Sequence, residues 1–112
     1  MDVDTDGHDG ECEHFIARVE DGRGVGTARL RRLKDGHVKV ERVAVLPNWR
    51  GEGIGEALMT GLEAHARRAG HDRVLLASQI QALGFYERLG YQVEGPMFMD
   101  AGIPHRRMLK YL

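Results

Sequence analysis

The chain carries one cysteine, three prolines and one tryptophan in 112 residues, and its 16 Lys and Arg nearly cancel its 17 Asp and Glu. Each shortage excludes something. A lone Cys12 cannot close an internal disulfide, which fits a reducing compartment such as the cytoplasm. A net charge of −1 leaves no basic surface of the kind nucleic acid requires, so no nucleic-acid partner is expected. No apolar run approaches the roughly 18 residues of a membrane span, and the acidic start is unlike a signal peptide. What remains, 42% hydrophobic and 29% charged residues, suits one soluble domain with a single core.

That domain is organised around the stretch from Val43 to Met59. Val43, Ala44, Val45 and Leu46 form an apolar run that Pro47 and Asn48 close, the pattern of a buried strand entering a turn. Arg50, Gly53 and Gly55 then fall as Arg-x-x-Gly-x-Gly directly before an amphipathic segment. Such a place favours an anion. The first N–H groups of a helix have no intrahelical partner, and the macrodipole adds partial positive charge. Glycines let the backbone close on a phosphate, and Arg50 adds a fixed cation. Two familiar phosphate loops do not fit. A P-loop needs Lys-Ser or Lys-Thr after its last glycine, where this chain has Glu56-Ala57. The dinucleotide fingerprint needs Gly-x-Gly-x-x-Gly, and after Gly55 no glycine comes until Gly61.

Around this stretch the chain reads as follows. Residues 1–13 are rich in Asp, Gly and Glu without apolar period, and are expected to be a mobile lead-in to a domain over 14–112. Asp4, Asp6, His8, Asp9, Glu11 and His14 are of metal-ligating type, but no EF-hand spacing fits and no metal is expected. From His14 the period becomes two, giving strands over 14–20, 25–33 and 38–45 joined by the turns Asp21–Gly24 and Asp35-Gly36. A helix from about Gly53 to Ala69 places Ile54, Leu58, Leu62 and Ala66 on one face, and Gly70 stops it. Val74 to Ser78 is a nearly continuous apolar strand, so strands 43–46 and 74–78 are expected to run parallel. A second helix over 79–89 and two strands, 91–99 and 105–111, complete an α/β (α+β) chain of order β-β-β-α-β-α-β-β.

The Arg-x-x-Gly-x-Gly loop, set between strand and helix, resembles motif A of the GNAT N-acetyltransferases. Phe85-Tyr-Glu-Arg-Leu-Gly-Tyr91 resembles that family's motif B, with Gln79 where an asparagine often stands. The tail Asp100-Ala-Gly-Ile-Pro-His105, the Gly-Thr-Ala-Arg-Leu30 strand and the Glu-His-Phe15 start are similar to its ElaA/YjcF-like branch. The resemblance covers about residues 9–110. It implies a GNAT fold with a mixed central sheet, short of the first strand and helices with which such a domain begins, and leaves an edge for a partner chain, so a homodimer is expected.

It further implies transfer of an acetyl group from acetyl-CoA directly to a primary amine. Arg50, Gly51, Glu52, Gly53, Ile54 and Gly55 would hold the pyrophosphate, with Gln79 a further CoA contact and Trp49 a surface or adenine-side residue. A backbone N–H within Val43, Ala44 or Val45 would face the carbonyl oxygen. Tyr86 would return a proton to the sulfur, since a phenol of pKa about 10 stays protonated at neutral pH. Glu41 and His105 are the candidate bases. For Arg29 a structural role is preferred over contact with an acidic acceptor. Two alternatives stand beside the enzyme: a non-catalytic CoA-binding or regulatory module, and a subunit completed by a partner chain.

Overall fold

Alternating apolar residues at 15, 17, 28, 30, 38, 40, 74 and 76 all point to one side of a single sheet, where they are nearly inaccessible to solvent. The structure, a computed structural model, describes residues 2–112 and the side chains of all of these except Asp6, His8 and Asp9. Its elements are β1 (Asp2–Asp9), β2 (Cys12–Arg18), β3 (Gly24–Arg32), β4 (His37–Val45), α1 (Ile54–Arg68), β5 (Arg73–Gln79), α2 (Leu83–Arg88), β6 (Gln92–Asp100) and β7 (Ile103–Tyr111). The seven strands lie in the order β1-β2-β3-β4-β5-β7-β6, and only β4 and β5 run parallel.

α1 covers the apolar side. It buries Ile54, Leu58, Met59, Leu62 and Ala66 against the sheet, each large side chain worth about 1.5–3 kcal/mol of transfer free energy. Gly53, in the left-handed region at φ 78°, opens it, and Gly70 at φ 89° ends it. α2 docks on the same side through Phe85, whose ring tip would lie 3.1 Å from a Cβ at Gly55. Among the described residues no helix covers the opposite face of the sheet, and none is long and apolar enough to cross a membrane.

Three expectations are corrected. The lead-in is not loose: Asp2–Asp9 pairs antiparallel with β2 across the turn at Gly10, where φ is 56°. Its apolar signal is a single residue, Val3, which packs where α1 has only Gly61; a Cβ there would meet Val3 at 2.9 Å. A strand therefore does precede 14–20, although no helix lies between the two among the described residues. The second correction concerns the parallel pair. Residues 37–40 pair with 73–76, and the ladder stops at Val40 opposite Leu76, so residues 43–46 are unpaired on that side. Thirdly, the helix expected over 79–89 begins late. β7 holds Gln79 in the sheet opposite His105, a 3₁₀ turn follows at Ile80–Ala82, and α2 proper starts at Leu83.

Candidate active site

The point where β4 and β5 part is set by a bulge. Thr27 faces Ala44 and Arg29 faces Glu41, so one residue of β3, Ala28, stands against two of β4, Arg42 and Val43. The additional residue is Arg42, held at φ 55°. Such a conformation is uncommon for a side chain larger than hydrogen and is found where the surroundings impose it. Beyond the bulge Glu41–Val45 leans from β5, while Ala77–Gln79 stays with β7.

The opening is a cavity of about 380 Å³ whose lining includes Glu41, Arg42, Val43, Ser78, Gln79, Tyr86 and His105. The three residues expected to carry chemistry, Tyr86, Glu41 and His105, thus come together from α2, β4 and β7. Tyr86 is fixed by edge-to-face contacts with Phe85 and Tyr91, ring centroids 4.9 and 5.9 Å apart. Burial pushes its pKa above the ordinary phenol value. Its hydroxyl has no hydrogen-bond partner among the described residues. His105 is oriented by its own strand. Nδ1 lies 2.7 Å from the carbonyl oxygen of Ile103, and a carbonyl can only accept, so Nδ1 is the donor and the neutral tautomer this contact selects carries its lone pair on Nε2. Phe98 stacks on the ring, 5.8 Å between centroids. Glu41 is held by cations: Arg29 at 2.9 Å, Arg31 at 3.4 Å and Lys39 at 4.0 Å.

A second cavity of about 600 Å³ adjoins the first along β4, lined by Val43, Ala44, Val45, Trp49, Arg50 and the helix start through Glu56, with Phe85 opposite. Gly51 and Gly53 have φ of 81° and 78°, and nothing lies within 4 Å of where either Cβ would stand. That bare, N–H-bearing turn fits a phosphate group. α1 has no side-chain cap, so its first N–H groups are unclaimed. Arg50 is exposed at the rim, its Nε donating to the Val45 carbonyl at 3.3 Å. Gly55 serves differently from expectation: its missing Cβ makes room for Phe85. Glu52 is exposed and does not line the cavity. Gln79 is placed in the splay, bonded to Gln81, away from the glycine turn. Trp49 lines the second cavity, with Arg23 stacked over it at 5.5 Å.

Sequence reasoning missed the support beneath the site. Glu63 of α1 is buried and accepts from Tyr91 Oη at 2.7 Å and Lys110 Nζ at 2.8 Å; Lys110 also donates to the Leu89 carbonyl at 2.7 Å. Burial and the neighbouring carboxylate push the Tyr91 hydroxyl far above its ordinary range. The signal was available in part: Glu63 interrupts the apolar face of α1, and a carboxylate there needs partners.

Comparison with known proteins agrees with this geometry. The family model described as an acetyltransferase (GNAT) domain matches residues 5–112. YjcF of Bacillus subtilis (strain 168), named an uncharacterised N-acetyltransferase, is 43% identical over 102 residues, covering 89% of this chain and 71% of that one. YyaT of the same organism is 40% identical over 101 residues, covering 89% and 66%, so the chain spans about two thirds of its length. Among solved structures, an acyl-CoA N-acyltransferase from Pseudomonas aeruginosa superposes with a TM-score of 0.79 at 29% identity, covering 90% of this chain and 69% of that one. An aminoglycoside 6'-N-acetyltransferase complexed with coenzyme A shares the fold at a TM-score of 0.80 and 19% identity, covering 91% and 73%. With its phosphate-ready turn, its parted parallel strands and these relatives, the chain belongs to the acetyltransferase (GNAT) domain family.

Proposed function

We propose that this protein moves an acetyl group from acetyl-CoA to a primary amine without a covalent enzyme intermediate. The observation that carries the reading is the parting of β4 from β5, which joins a phosphate-fitting turn to a cavity holding a phenol, an imidazole and a carboxylate. The thioester supplies an activated carbonyl; the remaining work belongs to the chain. The N–H groups of the turn and Arg50 hold the anionic end. Backbone of Val43–Val45 left without a β5 partner supplies a donor toward the oxygen on which charge develops. The new bond is N–C and the broken bond C–S. The amine's proton leaves toward His105 Nε2 or, through water, toward Glu41; Tyr86 Oη gives its own to sulfur.

Use of coenzyme A by a protein of the same fold supports the donor. The open sheet edge at β6, with Met97 and Met99 exposed, supports a homodimer, and the single free Cys12 supports a cytoplasmic setting. The test is calorimetry of acetyl-CoA binding, followed by mass detection of acetylated amines. Wild type should bind at micromolar strength. Arg50→Ala should weaken binding by about 10–100-fold, as expected for a charged hydrogen bond, and adding Gly53→Val, which forces a branched residue into the left-handed region, should abolish it. A folded wild-type chain that binds no acetyl-CoA would sink the reading. Binding without transfer to any amine would favour the non-catalytic module instead.

A further inference from the structure

The reacting cavity shares lining with two others, Val43 with the cavity at the glycine turn and Arg42 with a third, and the two neighbours differ in charge. On the helix side lies the glycine turn. On the helix-free side lies a separate cavity of about 400 Å³ whose lining includes His14, Thr27, Arg29 and Arg42. Register explains the grouping. His14 faces Arg29 across β2–β3, and Arg29 faces Glu41 across β3–β4, so the three form one row on the helix-free face. Arg42, displaced by the bulge, lines both this cavity and the reacting one.

The balance of charge here is positive. Arg29, Arg31 and Lys39 surround the carboxylate of Glu41, and Arg42 adds a fourth cation next to it in β4. Among the described residues Arg42 makes no ion pair or hydrogen bond, and its φ of 55° spends backbone strain on holding a cation at the junction. Arg29 is only partly satisfied: one terminal nitrogen reaches Glu41 at 2.9 Å, while its Nε is buried without a partner. A buried guanidinium nitrogen without an acceptor is costly. A ligand oxygen would remove that cost. The nearest acids of β1 with described side chains, Asp2 and Asp4, pair with Arg18 and Ile16, one strand beyond the row's edge at β2.

Resting on the acetyltransferase reading, we infer that the acceptor is a small amine that also carries an anionic group, a carboxylate or a phosphate, held by Arg42 and Arg29 with His14 and Thr27 beside them. The anion stays on the helix-free side while the amine reaches into the opening between β4 and β5. A forked guanidinium pair recognises a planar or tetrahedral oxyanion in two-point fashion, which fixes the direction in which the amine points. A plain alkylamine would find the same opening electrostatically repellent once protonated.

The test uses matched pairs on the full chain saturated with CoA, so that nothing turns over: β-alanine against β-alaninamide, and O-phosphoethanolamine against ethanolamine. Binding is followed by NMR of the arginine guanidinium and histidine ring signals. In at least one pair the anionic member should bind tighter by about tenfold or more, with shifts at Arg29, Arg42 and His14. Whichever pair discriminates more strongly tells carboxylate from phosphate. In Arg42→Gln that preference should collapse toward unity, and Arg42→Lys should restore part of it. Equal binding within both pairs, no shift with any of the four, or a preference that Arg42→Gln leaves intact would overturn the inference. CoA affinity, measured in the same samples, separates the two readings: intact CoA binding without anion preference removes only this one.

Discussion

β4 and β5 are one parallel pair with two halves, and the halves have opposite characters. In the paired half, Val38, Val40, Val74 and Leu76 are at most 4% exposed and lie on α1. In the parted half, Glu41, Ser78 and Gln79 line the cavity of about 380 Å³ that Tyr86 and His105 also line. The bulge at Arg42 is the boundary. Stability is concentrated on one side of it and reactive groups on the other, so changes to either half should move one property and spare the other. Tyr86 in α2 and Tyr91 just beyond its end repeat the contrast at closer range. Their rings touch edge to face, yet Tyr91 spends its hydroxyl on Glu63 while Tyr86 keeps its own unclaimed in the gap.

The largest expected effect breaks the parted half alone. Tyr86→Phe keeps the ring that packs on Phe85 and Tyr91 and deletes only the proton donor. Its kcat for acetyl transfer should fall about 10²–10⁴-fold, the usual worth of a positioned general acid. The thermal midpoint should hold, because the hydroxyl makes no protein hydrogen bond that folding relies on. A variant with wild-type kcat would remove Tyr86 from the chemistry and leave it a packing residue.

The converse belongs to the paired half. Leu58, fully buried between α1 and the sheet, should cost about 2–5 kcal/mol on truncation to alanine, through lost burial and the cavity left behind. Denaturant unfolding would measure it. The folded fraction should keep its affinity for acetyl-CoA, since Leu58 lines neither cavity of the site. A loss of affinity as large as the loss of stability would mean that the two halves are coupled through α1, and the division drawn at Arg42 would be wrong.

How far this division could be read from sequence follows from where each signal comes from. The paired half announces itself: period two in β3 and β4, the apolar run of β5 and the spacing of Ile54, Leu58 and Leu62 are all local patterns with a single physical meaning. The glycine turn is equally local, and Arg50, Gly51 and Gly53 line one cavity together. Gly55 shows the limit. It sits in the motif for phosphate approach, yet its smallness is used by Phe85, thirty residues later, a contact no local pattern encodes. The bulge is harder still. Nothing in Glu-Arg-Val-Ala-Val45 marks Arg42 as left-handed, because the constraint comes from β3 on one side and from the loss of β5 on the other. β1 was hidden for another reason. Its strand is made by backbone hydrogen bonds and one apolar side chain, so its composition reads as solvated chain.

The smallest effect sharpens the contrast between the tyrosines. Tyr91 is buried and donates to Glu63, and both facts favour its neutral form, so its folded pKa lies above the ordinary value of 10.0. A raised folded pKa means that the native state keeps a proton which the unfolded chain gives up. The stabilisation is therefore complete below about pH 10 and is lost as pH climbs through the folded value, at up to about 1.4 kcal/mol per pH unit for one such group. Tyr91→Phe should be somewhat less stable at neutral pH, by about 0.5–1.5 kcal/mol for one hydrogen bond, and should lose stability less steeply between pH 10 and 11. Urea midpoints of the two proteins across that interval give the difference in slope. If the curves stay parallel, Tyr91 ionises alike folded and unfolded, and the Glu63 network beneath the site is open to solvent rather than sealed by α1 and α2.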